Sequence, residues 1–351
     1  MKILMVGQFS EYGYTLAHLR AFREMGHDVE AVSIYQEGIG LSSKGSLLDR
    51  ILWKLGYVRD KAGVNQKLLS LVSNTVPDIL WMEKPLNLRS ATFRQLRILH
   101  PGAISVFFSH DNMQKPHNRS ISLSKSFRYY HIAFIIKGYS EQHIRKLGTP
   151  IVESVNREYD ADIFIPRKQE MQYLHDVVFV GSYERERAER IDFIANNGIR
   201  IEVWGDGWLR WKNIHRTKAL IHGKGVYGLE LSNLWHSSRI VLSFLRRMNN
   251  DVTTGRTFEV PATGSFLLAE RSISQQNIFM EGKEAEYFGD NIELLKKIIY
   301  YLDNNEEREH IAVAGMKKCR EGGYSHRDQM KRCLNIIEER RHELLSMGIP
   351  K

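Results

Sequence analysis

The segment "GRTFEVPATGSFLLAER" (Gly255–Arg271) joins a polar helix start to a short apolar run. The apolar run "SFLLAE" is typical of a strand buried in a parallel sheet, and the preceding residues predict a helix. A helix N-terminus presents unpaired backbone N–H groups, which bind anions, and Arg256 adds a full positive charge beside it. Together with the apolar run "RIVLSF" and the loop that precede it, the segment predicts a strand–loop–helix–strand unit with an anion site at the start of its helix.

Short apolar strands alternate with helices on both sides of this segment. In the first half the strands are predicted at "KILMVG", "HDVEAVSI", "DILWME" and "AISVFFS", and the pattern restarts at "VVFVGS". This alternation predicts an α/β chain with two doubly wound parallel sheets. We expect domains at 1–167 and 168–325 and a C-terminal helical segment at 326–351. The basic stretch 112–130 is predicted to be an irregular loop.

The composition of the chain is that of an ordinary soluble globular protein. It has 351 residues, of which 42% are hydrophobic and 26% charged, and two cysteines, too few for a disulfide framework. Its net charge of +9 favours an anionic partner: nucleotide phosphates, an anionic glycan, an acidic membrane surface or nucleic acid. Neither a signal peptide nor a long apolar run is evident, so we expect a cytoplasmic protein.

Several polar residues cluster at the start of the predicted helix. Thr253 or Thr254 can cap it, and Arg256 can face an anion there. Glu259 lies one turn in, where we expect it outside the core and able to accept hydrogen bonds from a diol. The alternative is a capped helix that carries only a surface arginine and a surface glutamate.

The same segment resembles the signature of nucleotide-sugar glycosyltransferases with the GT-B fold, and it is most similar to the CgeB-like (spore-maturation-protein-type) branch of the group-1 enzymes. In that group an acidic residue and a Glu, separated by seven residues, precede a small-residue turn and a strand. Asp251 and Glu259 occupy these places here. The resemblance implies that Glu259 binds the donor ribose hydroxyls and that Asp251, in place of the more usual Glu, contacts the donor sugar.

Further motifs of the same branch follow in the same order, so that the resemblance spans most of residues 103–333. They are "FFSHDNMQKPHN", "NREYDADIFIP", "VVFVGS", "VWGDGW", "EGKEAEYF" and "YYLDNNEEREHIAVAG". The resemblance implies a GT-B fold, in which two Rossmann-like domains face a cleft and a C-terminal helix crosses back to the N-terminal domain.

Several residues of the second half are candidates for donor binding. Many group-1 enzymes place an Arg–Lys pair against the diphosphate, but this chain has Ser182 at that point, after Gly181. We therefore expect the positive charge to come from Arg187 and Arg256, and we expect Arg185 and Arg190 on a solvated helix face. The remaining candidates follow two other predicted strands or begin the helix: Gly205, Tyr227, Thr254, Gly255 and Thr257. Tyr227 can stack on the nucleobase, although a plain glycine turn explains its segment equally well.

The first half offers candidates on the acceptor side. Gly13, in the loop "GQFSEYGY", can bring backbone N–H groups towards donor phosphates or the acceptor. His110 and Asp111 follow the strand "AISVFF", where they can form a hydrogen-bonded pair or a general base for an acceptor hydroxyl. The alternative is a capping Asp beside a structural His.

The sequence has no cluster of His, Cys, Asp and Glu with metal-ligand spacing and no D-x-D motif, so we expect neither a metal nor another cofactor. It predicts transfer of a sugar from a nucleoside-diphosphate sugar to a hydroxyl of a glycan, lipid-linked or other acceptor, with peripheral contact to an anionic membrane. The alternatives are a nucleotide-sugar 2-epimerase of GT-B fold and a non-catalytic glycan- or nucleic-acid-binding protein. Nucleic acid is not expected, because basic and aromatic residues are not interleaved.

Overall fold

The computed structural model describes residues 1–35, 46–72, 75–166 and 172–349. The chain divides into two compact units, an N-terminal unit of Met1–Asn156 with His326–Lys351 and a C-terminal unit of Arg157–Ser325. The expected boundary after residue 167 falls within 167–171, outside the described residues. The predicted class is confirmed, because each unit is a doubly wound α/β sheet.

The N-terminal unit is built on a six-stranded sheet in the order β2-β1-β3-β4-β5-β6, and its neighbouring strands pair in parallel. The strands are β1 (Lys2–Gly7), β2 (Asp28–Ser33), β3 (Ile79–Glu83), β4 (Ile104–Ser109), β5 (Ile132–Ile135) and β6 (Ile151–Ser154). All residues of β3 and β4 are buried, as expected for central strands that are covered on both faces.

Helices connect these strands. They are α1 (Tyr14–Glu24), α2 (Leu47–Lys54), α3 (Val64–Val72), α4 (Ser90–Leu99), α5 (Ile121–Ser126) and α6 (Glu141–Lys146). The predicted loop at 112–130 is wrong, because this segment contains α5 between two 3₁₀ turns, Pro116–Asn118 and Phe127–Tyr129. Its basic residues obscured an apolar pattern, since Met113, Leu123 and Phe127 belong to the buried core.

The C-terminal unit repeats the plan with a six-stranded sheet in the order β12-β11-β10-β7-β8-β9. Its strands are β7 (His175–Val180), β8 (Ile201–Trp204), β9 (Leu220–Ile221), β10 (Ser238–Ser243), β11 (Leu267–Glu270) and β12 (Glu286–Phe288). Its helices are α7 (Arg185–Asn196), α8 (Gly228–His236), α9 (Arg256–Ala262), α10 (Ile273–Gln276), α11 (Asn291–Asp303) and α12 (Asn305–Glu321). Within the opening segment, α9 and β11 thus match the predicted helix and strand.

The chain ends in two helices, α13 (His326–Glu339) and α14 (Arg341–Ser346), which belong to the N-terminal unit. Met330, Cys333 and Ile337 of α13 and Leu344 of α14 lie in the same buried cluster as Trp81 of β3. The apolar face of α13 therefore covers one side of the N-terminal sheet.

Each sheet has a point where the strand order reverses. In the N-terminal unit β1 lies between β2 and β3, and in the C-terminal unit β7 lies between β8 and β10. Doubly wound sheets bind ligands at the carboxyl ends of the strands beside such a point. The loops after β1 and β3, and those after β7 and β10, are therefore the places to search for a site.

Candidate active site

In the C-terminal unit the ends of β7 and β8 are joined through two glycines. The N–H of Gly181 donates to the carbonyl of Trp204 (2.9 Å), and that of Gly205 donates to the carbonyl of Lys224 (2.7 Å). Gly205 has φ of +144°, and a Cβ there would collide with the carbonyl oxygen of Gly181. Only glycine fits this position, so the backbone at the carboxyl edge has a fixed path.

Arg187, on α7, is folded back onto this edge. Its guanidinium donates to the carbonyls of Ser182 (3.0 Å) and Phe244 (3.4 Å), which follow β7 and β10. The side chain is buried, and its Nε donates to no atom in the part of the chain that the structure describes. Burial lowers the pKa of the Arg187 guanidinium, Glu184 opposes that shift and Arg246 adds to it. The result is a buried cation that is not fully satisfied.

Arg256, the first residue of α9, approaches the same edge from the other side. It donates to Glu259 Oε2 (3.0 Å) and points towards the carbonyl of Val180 at 3.5 Å. Its guanidinium carbon lies 5.6 Å from the centre of the Trp235 ring, within cation–π range. Its charge also lowers the pKa of Arg187, so the two guanidinium groups act on the same region.

Glu259 lies in the core rather than outside it, so that expectation is wrong. Its carboxylate is 9% exposed and is held by Arg256. Because α9 has only seven residues and sits directly over the sheet, even its first turn is covered. Glu259 Oε1 has no hydrogen-bond partner within the described ranges and remains able to accept from a ligand.

The cap of α9 also differs from the expectation. The N-cap is Gly255, and no side chain caps the helix. Instead the N–H of Thr254 donates to Thr257 Oγ1 (3.0 Å), and the Thr254 hydroxyl contacts Ser243 Oγ (3.1 Å). The backbone N–H groups of Gly255 and Arg256 have no acceptor among the described residues, and they lie beside the Arg256 side chain.

Asp251 and Tyr227 lie at the margins of this arrangement. Asp251 follows the left-handed Asn250 (φ +50°) and accepts from Asn249 Nδ2 (3.0 Å). Its charge raises the pKa of Arg187, so it lies within electrostatic reach of that group. Tyr227 is the N-cap of α8 and is 54% exposed, which leaves its ring accessible.

Glu270, the penultimate residue of the opening segment, holds neighbouring groups in place. Glu270 is buried and accepts from Arg190 (3.1 Å), Arg247 (3.0 Å) and the backbone N–H of Leu245 (3.0 Å). The expected solvated position of Arg190 is therefore wrong, because the carboxylate at the end of β11 draws it inward. Arg185 is highly exposed and pairs with Glu189 at 2.8 Å, as expected for a surface residue.

In the N-terminal unit Asp111 pairs with a residue that the sequence did not single out. Lys84 Nζ donates to the Asp111 carboxylate and to Asn118 Oδ1 (3.2 Å). Lys84 follows β3 directly and has φ of +46°, a conformation that is strained for a lysine. This unfavourable backbone conformation of Lys84 places its ammonium at the Asp111 carboxylate, two residues after the end of β4.

Beside this pair lies a second acid–base pair. His18 Nδ1 of α1 is 2.7 Å from Glu83 Oε1, and Trp81 Nε1 donates to the same oxygen (2.9 Å). Burial alone would raise the pKa of Glu83, but the charge of His18 and the hydrogen bonds from His18 and Trp81 hold it below its usual value. Glu83 is therefore a buried, ionised carboxylate next to Lys84.

Aromatic rings cover these acid–base pairs. Tyr14 stacks on His110 with ring centres 4.2 Å apart, and His326 of α13 meets Tyr14 and His18 edge-on at 5.5 and 5.1 Å. His110 thus faces Tyr14 while Asp111 contacts Lys84, so each has a strong partner other than its neighbour. Gly13 is the N-cap of α1, and its N–H donates to the carbonyl of Ser10 (2.9 Å).

The structure thus brings most sequence candidates to the two carboxyl edges. Gly181, Ser182, Arg187, Gly205 and the residues from Asp251 to Glu259 surround the ends of β7, β8 and β10. Reasoning from sequence missed His18, Glu83, Lys84 and His326. One signal for Glu83 was available, since a charged residue ends the apolar strand "ILWME" at a ligand-binding edge.

One protein-family model matches part of the chain. Residues 185–335 match a family model described as glycosyl transferase-like. No curated protein sequence is significantly similar to the chain.

Solved structures cover nearly the whole chain. Sucrose-phosphate synthase from Thermosynechococcus elongatus superposes with a TM-score of 0.67 at 10% identity, covering 97% of this chain and 98% of its own. HepE from Anabaena, in complex with UDP-glucose, gives 0.64 at 10% identity over 97% and 100%. A glycosyltransferase from Rickettsia africae ESF-5 gives 0.63 at 14% identity over 99% of each chain. These likenesses establish the GT-B fold.

Proposed function

We propose that this protein is a glycosyltransferase that moves a sugar, expected to be a hexosyl group, from a nucleoside-diphosphate sugar to an acceptor hydroxyl. The observation that carries the proposal is the placement of Arg187 and Arg256 at the end of β7, beside the open N–H groups of Gly255 and Arg256. The match of residues 185–335 to a glycosyl transferase-like model supports it. Within the group-1 glycosyltransferases, we propose that the chain belongs to the CgeB-like branch.

The diphosphate is the group that this edge suits best. Arg187 is buried with an unsatisfied Nε, and Arg256 can leave Glu259 to form a bidentate contact with phosphate oxygens. Arg187 is buried and Arg256 is partly buried, and both can stabilise the charge that develops on the leaving diphosphate. Because side chains and backbone supply this charge, we propose that the reaction needs no metal ion or other cofactor.

The resemblance to group-1 glycosyltransferases implies the roles of Glu259 and Asp251 towards the rest of the donor. Glu259 Oε1 accepts hydrogen bonds from the ribose hydroxyls, Tyr227 stacks on the base, and Asp251 contacts the sugar. HepE, which is similar in fold, was solved with UDP-glucose, and this supports a uridine nucleotide as the first donor to try.

The acceptor side belongs to the N-terminal unit. Asp111 lies two residues after β4, at the carboxyl edge of the sheet, so we assign its carboxylate as the base for the acceptor hydroxyl. The acceptor oxygen bonds to the anomeric carbon, the bond from that carbon to the diphosphate breaks, and Asp111 takes the hydroxyl proton. His110 positions the acceptor. The acceptor is a glycan or a lipid-linked sugar, and the net charge of +9 supports peripheral contact with an anionic membrane.

The test is turnover of a panel of nucleoside-diphosphate sugars with and without glycan and lipid-linked acceptors. We expect nucleoside diphosphate to be released and a glycosylated product to form only when an acceptor is present. Conversion of the donor to an epimer without acceptor would instead assign a 2-epimerase. Binding without turnover across the panel would assign a binding protein. The variant Arg256→Ala should lose turnover, and Arg185→Ala is its matched control, because Arg185 is an exposed arginine of the same unit.

A further inference from the structure

Helix α2 of the N-terminal unit buries none of its residues. Leu47, Leu48 and Ile51, with Leu55 at its C-cap, follow the spacing of one helical face. Their exposed fractions are 71%, 54%, 48% and 60%. We call these four residues the α2 apolar face. A contiguous exposed apolar patch of this kind marks an interaction site more often than chance exposure.

Polar contacts, not apolar packing, hold α2 in place. Ser46 and Asp49 form a capping box at its N-terminus. Asp49 also pairs with Lys61 (2.6 Å) and Arg59 (3.5 Å), and the N–H of Ile121 donates to the carbonyl of Gly56 (2.8 Å). The helix is therefore fixed to the unit while its apolar side points away from the core.

The surroundings of the α2 apolar face are positively charged. Arg50 and Lys54 lie on the helix itself, next to the apolar residues, and both are exposed. A cavity of about 430 Å³ adjoins the C-terminal end of α2, and the charged residues in its lining are three cations, Arg59, Lys61 and Arg89, and one acid, Asp60. The buried Asn87 also lines this cavity, and its Oδ1 has no hydrogen-bond partner within the described part of the chain.

We propose that α2 docks the protein onto an anionic membrane surface, with the α2 apolar face among the acyl chains and the surrounding cations against the lipid headgroups. A short amphipathic helix with a basic rim binds a bilayer in this way, through apolar burial and attraction to anionic lipid. Within the described residues none of the helices has the length and apolar character to span a bilayer.

A membrane fits this face better than a second copy of the chain. A two-fold dimer through the α2 apolar face would bring Arg50 and Lys54 towards the same residues of the other copy, and like charges across an interface are unfavourable. An anionic surface neutralises those cations instead. The proposal does not depend on the enzymatic reaction, since it concerns where the N-terminal unit rests.

The test is co-sedimentation of the full chain with vesicles of phosphatidylcholine, with and without phosphatidylglycerol, in the absence of any nucleotide sugar. We expect binding to the vesicles that contain phosphatidylglycerol, release by salt, and little binding to phosphatidylcholine alone. The triple variant Leu47→Ser, Ile51→Ser, Leu55→Ser should bind these vesicles at least about ten-fold more weakly than the wild type. The pair Arg50→Glu, Lys54→Glu should lose binding to a similar degree.

Two matched controls distinguish binding through α2 from non-specific apolar adsorption and from non-specific charge attraction. Leu229→Ser with Ile273→Ser removes exposed apolar residues of the C-terminal unit, and Lys212→Glu with Lys218→Glu reverses exposed charges there; both pairs should bind like the wild type. The α2 variants should keep the wild-type melting temperature, because α2 buries nothing. Equal binding to neutral vesicles, absence of binding, or equal losses in the controls would overturn the proposal. So would a wild-type dimer that the triple variant converts to monomer.

Discussion

The carboxyl edges of the two sheets are built on the same plan but carry opposite chemistry. At the C-terminal edge the prominent groups are cations, because Arg187 and Arg256 lie against backbone carbonyls beside β7 and β10. At the N-terminal edge they are carboxylates, each paired with a basic side chain, since Glu83 contacts His18 and Asp111 contacts Lys84. We propose that the first edge binds an anion and that the second accepts the proton of the acceptor hydroxyl.

The two edges also differ in how the chain assembles them. Much of the C-terminal arrangement comes from the single contiguous stretch from Asp251 to Glu259. The N-terminal arrangement joins residues from α1, β3, β4 and α13, which lie far apart in sequence. A contiguous site can be recognised as a motif, whereas a dispersed one depends on the fold to bring it together.

The largest effect that we expect comes from removing the carboxylate of the N-terminal edge. Asp111→Asn should lower turnover by roughly a thousand-fold, within the usual range for a lost general base, while nucleotide affinity stays unchanged. Asp78→Asn is the control, because Asp78 accepts from the backbone N–H of Lys2 at the opposite end of the same sheet. Steady-state kinetics with saturating donor measure the effect. If Asp111→Asn turns over like the wild type but melts earlier, this edge is only structural.

The next largest effect should come from the cation of the C-terminal edge. Arg256→Ala should lower turnover by roughly a hundred-fold, because the charge on the leaving diphosphate loses a stabilising donor. Arg256→Lys should recover only part of it, since lysine cannot form a bidentate contact. Arg256→Ala should also cost about 1–3 kcal/mol of stability, because the buried Glu259 loses its partner. If the Arg256→Ala protein is less stable but has wild-type kinetics, Arg256 has only a structural role, in its ion pair with Glu259 at the start of α9.

The accuracy of the sequence-based predictions follows this division between the two edges only in part, because wrong predictions occur at both edges. Strands such as β1, β3, β4 and β7, and helices such as α7 and α9, were predictable from their apolar patterns, whereas the short strands β5, β6 and β12 were not predicted. The burial of Glu259 and Arg190 was not, because it depends on how closely short helices cover the sheet. Lys84 was invisible for another reason: its left-handed backbone and its contact with Asp111 are tertiary features that no local pattern encodes.

A smaller effect should separate binding from chemistry at the C-terminal edge. Glu259→Gln should weaken nucleoside-diphosphate binding about ten- to a hundred-fold, as for the loss of a charge-assisted hydrogen bond of roughly 1.5–3 kcal/mol. Turnover at saturating donor should fall much less, because the ribose contact acts equally in the ground and transition states. Calorimetric titration beside kinetics makes the distinction. A large loss of turnover with unchanged affinity would place Glu259 in the chemical step instead.

The smallest effect should come from removing divalent metal ions. If Arg187 and Arg256 supply the positive charge at the diphosphate, activity in excess EDTA should stay within about three-fold of that with Mg²⁺. Complete loss in EDTA, with recovery on adding Mn²⁺, would show that the cationic edge is insufficient and that carboxylates hold a metal beside the diphosphate.

The most direct test of the donor site is amide hydrogen exchange of the whole chain with saturating nucleoside diphosphate, UDP first, after a thermal-shift screen has identified a binder. A ligand at 100-fold its Kd adds ~2.7 kcal/mol of stability, so binding can be established independently. We expect slower exchange in the segments 181–187 and 253–259 at the C-terminal edge. Protection confined to the N-terminal unit, or no protection anywhere with a proven binder, would contradict the assignment of the donor site.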